Sequence, residues 1–259
     1  MTQLEEAREK INQCDAIIAE ALVRRMDCVK EVIAYKRAHH MPVFQPEREA
    51  DQKEALQKKL AGTGLETYIL DIFEGILKNS RKMQVKSLLD GNIFLIGFMG
   101  AGKSTVAQWL CANYDLEQVE MDALIEERQN MSISGIFAEY GEPYFRKLET
   151  ELLMEFQQKK NCVVSCGGGA AMRPENVAHM KENGTIVLLR GLPETIYERV
   201  KDSTARPLLN ADMSVRHISE LMEMRRPKYE AAADLIIDID GKSVETICEE
   251  IMEKLLQSR

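Results

Sequence analysis

Residues 97–104 read GFMGAGKS, between the apolar run NIFLI and the helical stretch TVAQWLCANY. Gly97, Gly102, Lys103 and Ser104 satisfy the spacing G-x-x-x-x-G-K-[ST], after a strand and at the start of a helix, as a phosphate-binding loop requires. Glycines let the backbone curl until several N–H groups face one anion, and the helix N-terminus adds positive potential. The stretch Gly100, Ala101, Gly102, Lys103, Ser104 and Thr105 is therefore the expected cradle for ATP. Lys103 reaches the β- and γ-phosphates, and the Ser104 hydroxyl binds Mg²⁺. The motif does not name the group that receives the phosphoryl.

The acceptor has to be read from residues further along the chain. Glu120, Met121 and Asp122 come at the end of and directly after the strand-like EQVE. A carboxylate at the C-terminal edge of a parallel sheet lies beside the phosphates. Asp122 can there orient an acceptor hydroxyl or take its proton; the lesser alternative on bare pattern is a plain helix N-cap. Arg146 stands in GEPYFRKLETELL, then Gly167, Gly168 and Gly169 after VVSC, then Arg206 in STARPLL and Arg225 in EMRRPKYEAA. Three glycines after a buried strand allow backbone to approach a small ligand closely. Arginines beside a phosphate site suit an acceptor that is itself anionic, because the guanidinium grips carboxylates with paired hydrogen bonds.

A second set of charges stands in the first ninety or so residues, away from any phosphate loop. Leu4, Ile11, Ile18 and Val32 recur at multiples of seven, and Arg25 occupies the missing place. At 100° per residue, Arg8, Arg25 and Lys36 share an arc of roughly 100° with that apolar stripe. Cations on a core-facing arc are costly unless something anionic meets them. Either acidic side chains of the same domain neutralise them, or a buried ligand with more than one carboxylate does. Arg48 and Glu49 open the next helix, and Ser80 and Gln84 share one face of a third at i,i+4.

Two kinds of scaffold must hold these groups. The first half has a helical rhythm throughout, with helices expected over 3–40, 46–60 and 65–87. Met41-Pro42 stops the first, Pro46 sits in the first turn of the second, and AGTG breaks that one. One long helix with two short ones makes a thin core, so pairing with a second copy into an intertwined dimer is expected. After Asp90-Gly91 short apolar runs (NIFLIGF, CVVSC, TIVLLR, DLIIDI) alternate with helical stretches at 103–113, 142–159, 174–183, 214–232 and 243–257. That alternation specifies a parallel sheet covered on both faces. The chain thus divides into an all-α domain, 1–88, and an α/β domain, 91–259.

The 259 residues carry a net charge of −8, which argues against broad nucleic-acid binding. The polar start MTQLEEAREK is no signal peptide, and no apolar run approaches the ~20 residues of a membrane span. Six cysteines without a C-x-x-C pair, and four scattered histidines, suggest reduced thiols in a cytoplasmic protein and no dedicated metal cluster.

Residues 92–259 resemble shikimate kinase, a small P-loop kinase of the nucleoside-monophosphate-kinase type. The resemblance rests on GFMGAGKST, MDALIE, SISGIFAEYGEPYFRKLE, CGGGA, RPLL and RRPKYEAAAD in the family's order. It implies Mg²⁺-dependent transfer of the ATP γ-phosphoryl to the 3-hydroxyl of shikimate. Asp122 would hold the shikimate hydroxyls and act as base or orienter, Arg146 and Arg225 would grip the carboxylate, and Gly167–Gly169 would complete the pocket. Arg206 would come from a lid and steady the phosphates, and Arg199 would stack near adenine. The family's Asp-x-Asp is here Glu120-Met121-Asp122, so the carboxylate that helps hold Mg²⁺ through water reaches one methylene further.

Residues 4–84 resemble the all-helical chorismate mutases, through AREKINQCD, ALVRRMDCVKEVIAYK, MPVFQPEREAD and NSRKMQ. The resemblance implies rearrangement of chorismate to prephenate without cofactor. Arg8 and Arg25 would bind the two carboxylates, with Arg8 supplied by the partner subunit. Lys36 and Gln84 would face the ether oxygen, Glu49 would accept from the ring hydroxyl, and Arg48 and Ser80 would line the pocket. Gln45 stands where some members carry an acid. Taken together, the two resemblances imply a cytoplasmic bifunctional enzyme of aromatic amino-acid biosynthesis, binding shikimate, ATP and chorismate, with a dimer expected through its helical half and no nucleic-acid or membrane partner expected. Two other readings keep the phosphate loop: a shikimate kinase with a non-catalytic dimerisation or chorismate-sensing module, and a kinase for another polyol such as gluconate.

Overall fold

The computed structural model describes residues 2–39, 41, 45–201 and 214–257. They belong to two compact units, Met1–Leu88 and Leu89–Arg259.

The first unit has three helices: α1 (Gln3–Ala38), α2 (Pro46–Leu60) and α3 (Glu66–Leu88). Thr2 and Glu5 close a capping box at the start of α1: the Thr2 hydroxyl accepts from the Glu5 N–H at 3.3 Å, and the Glu5 carboxylate accepts from the Thr2 N–H at 2.6 Å. Glu5 and Glu6 at one end, with Lys36 and Arg37 at the other, suit the helix dipole.

The inward face of α1 departs from the period-seven stripe. Leu22, Met26, Val29 and Ile33 turn inward, whereas Val32 is 42% exposed. A strict seven-residue repeat slips by about 20° per heptad on a straight helix, so Val32 has drifted round from the line of Leu4. Leu4, Ile11 and Ile18 stay on the line of the inward face yet are exposed, like every residue from 2 to 21. Only Ile33, Lys36, Ser80 and Val85 are buried among the described residues of this unit.

The second unit runs β1 (Asn92–Ile96), α4 (Lys103–Tyr114), β2 (Glu117–Glu120), α5 (Met121–Gln129), α6 (Ile133–Glu155), β3 (Cys162–Ser165), α7 (Pro174–Asn183), β4 (Gly184–Arg190), α8 (Pro193–Val200), α9 (Val215–Ala232), β5 (Leu235–Asp238) and α10 (Val244–Gln257). All five strands are parallel, in the order β2-β3-β1-β4-β5. Phe94, Ile96, Val164, Ile186 and Leu188 pack on one face against α6, α7 and α9, through Leu152, Leu153, Met180 and Tyr229. α4 and α10 cover the other face. Helices cover both faces, which explains the unbroken apolar runs of β1 and β3.

The connections leave β1 in both directions, towards β3 and β2 on one side and β4 and β5 on the other. A ligand crevice opens at such a reversal, beyond the C-terminal ends of the strands. α6 bends at Gly141 (φ 79°, ψ 169°), and Pro143 then falls in the first turn of its second limb. No helix among the described residues is long and apolar enough to cross a membrane.

Candidate active sites

The loop from β1 to α4 adopts the conformation its glycines allow. Gly97, Gly100 and Gly102 have positive φ (140°, 80° and 91°), and a Cβ on Gly97 would lie 2.5 Å from the Leu189 carbonyl oxygen. The Lys103 ammonium folds over the loop, donating to the carbonyls of Gly97 (3.0 Å) and Phe98 (3.2 Å). Arg199 on α8 donates to the Ala101 carbonyl at 3.2 Å, so it borders the loop from the far side. Thr105 is exposed in the first turn of α4. Arg206 lies outside the described residues.

Ser104 donates to Glu120 Oε2 at 2.8 Å, and its oxygen lies 3.4 Å from the Ser165 hydroxyl. These hard oxygen donors suit Mg²⁺, which is held by one or two protein groups together with nucleotide phosphates. No group of three His, Cys, Asp or Glu among the described residues could hold a metal by itself. An ion here would arrive with the nucleotide.

Asp122 is not the helix N-cap that its pattern allowed. Glu120 takes that position, without a side-chain cap bond, and Asp122 falls in the first turn of α5. Its carboxylate lies against Gly167: a Cβ there would sit 2.6 Å from Asp122 Oδ1 and 2.9 Å from Glu149 Oε1. Gly169 touches Arg146 in the same way, and Gly168 approaches Arg225. The triple glycine is thus where two carboxylates and two guanidiniums come up against bare backbone. Burial raises the Asp122 pKa, and Lys103 and Arg146 draw it back down.

Glu149 was not legible as part of this site. It is completely buried on α6 and accepts from Arg146 Nη1 at 2.7 Å through Oε2. Its Oε1 has no hydrogen-bond partner among the described residues. Burial pushes its pKa up, against the pull of Arg146. The i,i+3 spacing to Arg146 is the only sequence signal, and it reads as an ordinary surface pair. Tyr229 was also missed: its hydroxyl donates to the Gly168 carbonyl at 2.6 Å and meets Arg225, whose guanidinium lies 5.8 Å from the Phe98 ring centre.

In the helical unit, Arg25 donates to the Ser80 hydroxyl, and Lys36 donates to Gln84 Oε1 at 3.2 Å. Gln84 donates in turn to the Ser80 carbonyl at 3.4 Å. Burial lowers the Lys36 pKa, nearby Arg48 lowers it further, and Glu49 opposes both. Arg25, Lys36, Arg48, Glu49, Ser80 and Gln84 therefore share one neighbourhood, with a cavity of about 500 Å³ beside Arg25 and Glu49. Gln45 precedes α2 and makes no side-chain cap bond. Arg8 does not join them. It is exposed on α1, 17 residues before Arg25, roughly 25 Å along a straight helix.

The parallel order β2-β3-β1-β4-β5, with a phosphate loop after β1 and Arg146 and Arg225 against the triple glycine, defines the class of P-loop kinases. Residues 99–256 match the shikimate kinase family and residues 7–85 match chorismate mutase type II. Shikimate kinase of Dehalococcoides mccartyi is 43% identical over 164 residues, which span 63% of this chain and 93% of that protein. The structure of shikimate kinase from Acinetobacter baumannii in complex with shikimate superposes with a TM-score of 0.63 at 29% identity, covering 69% of this chain and 98% of the other. Shikimate kinase from Aquifex aeolicus gives 0.54 at 39% identity, over 62% and 94%. The chain belongs to the shikimate kinase family and carries a chorismate mutase type II domain at its N-terminal end, which makes it a bifunctional enzyme of aromatic biosynthesis.

Proposed function

We propose that the second unit transfers the γ-phosphoryl of ATP directly to the 3-hydroxyl of shikimate, with ADP leaving and Asp122 orienting that hydroxyl and taking its proton. The meeting of the Asp122 carboxylate, the Gly167 backbone and Arg146 near Lys103 carries this reading. Burial raises the Asp122 pKa above that of a solvated carboxylate, against the pull of Lys103 and Arg146, and so makes the carboxylate a stronger base for the hydroxyl proton. Arg146 and Arg225 hold the shikimate carboxylate. Lys103, Arg199 and Arg206 hold the nucleotide. Mg²⁺ would be held by Ser104 and, directly or through water, Glu120, and would neutralise charge on the β- and γ-phosphates.

The first unit rearranges chorismate to prephenate with no nucleophile, metal or proton transfer. Arg25 and the partner's Arg8 take the carboxylates, Lys36 and Gln84 face the ether oxygen as charge develops there, and Glu49 accepts from the ring hydroxyl. Arg48 and Ser80 line the pocket. The exposed Leu4, Ile11 and Ile18, with Tyr68 and Ile72 on α3, support a homodimer in which α1 of each copy completes the other's site. A cytoplasmic setting accords with the free cysteines.

One preparation tests both halves. Loss of chorismate absorbance must follow addition of enzyme, and ADP release must depend on shikimate. Unchanged absorbance over hours at micromolar enzyme would remove the mutase, and equal turnover of gluconate would remove the shikimate assignment.

A further inference from the structure

Arg81 stands one residue beyond Ser80, so on α3 it projects about 100° from Ser80 and about 60° from Gln84. The two faces meet different helices. Ser80 and Gln84 meet Arg25 and Lys36 on α1, whereas Arg81 crosses to α2 and donates from Nη1 to Glu49 Oε2 at 2.6 Å. Both side chains of that pair are 30% exposed, and both border the 500 Å³ cavity together with Arg25.

Glu49 is the carboxylate that the mutase reading requires to accept a hydrogen bond from the ring hydroxyl. It stands among cations, with Arg48 beside it in sequence and Lys36 close enough for Glu49 to raise its pKa. Coulombic attraction draws such a carboxylate towards the Lys36 ammonium. That contact would neutralise the positive charge the rearrangement needs on the ether oxygen, and would use up the acceptor at the same time. The Arg81 bond engages Oε2 from the side of α3, and Oε1 is not part of it.

We propose that Arg81 is a positioning residue of the mutase site: its guanidinium draws Glu49 away from Lys36 and presents the second carboxylate oxygen to the substrate. This rests on the mutase reading. As a plain surface staple between two helices, the same ion pair would leave turnover unchanged.

The test is a double-mutant cycle on the full chain, read as kcat and KM for chorismate with shikimate turnover and helical circular dichroism as controls. Arg81→Ala should lower kcat/KM about tenfold, mostly in kcat, because it acts on charge in the transition state. Arg81→Lys should restore part of that loss, since it keeps the charge without the fork. In the Glu49→Gln background, Arg81→Ala should change little, because there is no carboxylate left to position. A kcat/KM within about twofold of the parent overturns the proposal, and so does a full additive loss in the double variant. If Arg81→Ala loses helical signal, the same cycle is read with Arg81→Lys, where an effect independent of Glu49 overturns the proposal. Absence of chorismate turnover in the parent protein would instead remove the mutase reading itself.

Discussion

The sites proposed in the two units occupy opposite structural positions. In the α/β unit, Ile93, Phe94, Leu95 and Ile96 of β1 are fully or almost fully buried, and the site stands at the edge of a core that the chain supplies itself. Among the described residues of the helical unit, two of the four buried ones are Lys36 and Ser80, both proposed site residues. Removing a site group from the kinase should leave its fold standing, whereas site and fold are nearly the same residues in the helices. The fusion therefore joins a domain with its own core to one whose apolar stripe is left exposed.

The largest expected effect breaks the kinase alone. Asp122→Asn should lower shikimate-dependent ADP release on the order of 10³-fold, as loss of a general base does, while chorismate turnover stays unchanged. Parallel loss of both would mean that the domains do not act independently. Arg25→Ala should cost the mutase on the order of 10²-fold and leave the kinase nearly intact, because Ser80 and the substrate lose a charged partner. Ile18→Asp puts a charge on the exposed stripe of α1. Sedimentation should then show monomer, with chorismate turnover down more than about tenfold at micromolar enzyme and kinase turnover unaltered. A variant that stays dimeric would show that the stripe is not the contact.

The smallest effects sharpen the comparison through pH. Burial raises the Asp122 pKa, so kinase kcat/KM should fall as pH drops through a value above that of an ordinary aspartate. Burial lowers the Lys36 pKa, so the charged ammonium is lost at a lower pH than for a free lysine. Mutase kcat/KM should therefore decline at the alkaline end, below the ordinary lysine range. An acid limb shared by both activities would point to unfolding, since the two groups titrate at opposite ends of the pH range.

Much of this was legible because it is local. The start of α2 at Pro46, its end before the AGTG break, the apolar strands, and the glycine spacing before Lys103 follow from dihedral and periodicity rules acting over a few residues, whereas Pro42 lies outside the described residues. The boundaries of α1, α2 and α3 differ from expectation by no more than two residues. The eight residues of α8 make only two turns, too few for a stripe to stand out. Glu149, Tyr229 and Arg81 escaped for a different reason: each matters through a partner on another element or through burial, and neither is written in the neighbouring sequence. Val32 misled because a seven-residue repeat is not the period of a straight helix.

The bare first half of α1 has a consequence for dose. If pairing covers that surface, the share of chains with a complete mutase pocket grows with the amount of protein made, whereas kinase output per chain does not. A cell that makes little of this enzyme would own a shikimate kinase with idle arms. One that makes more would gain the rearrangement as a second-order return on the same gene product. The ratio of the two activities in a dilution series is thus itself a measure of the helical contact.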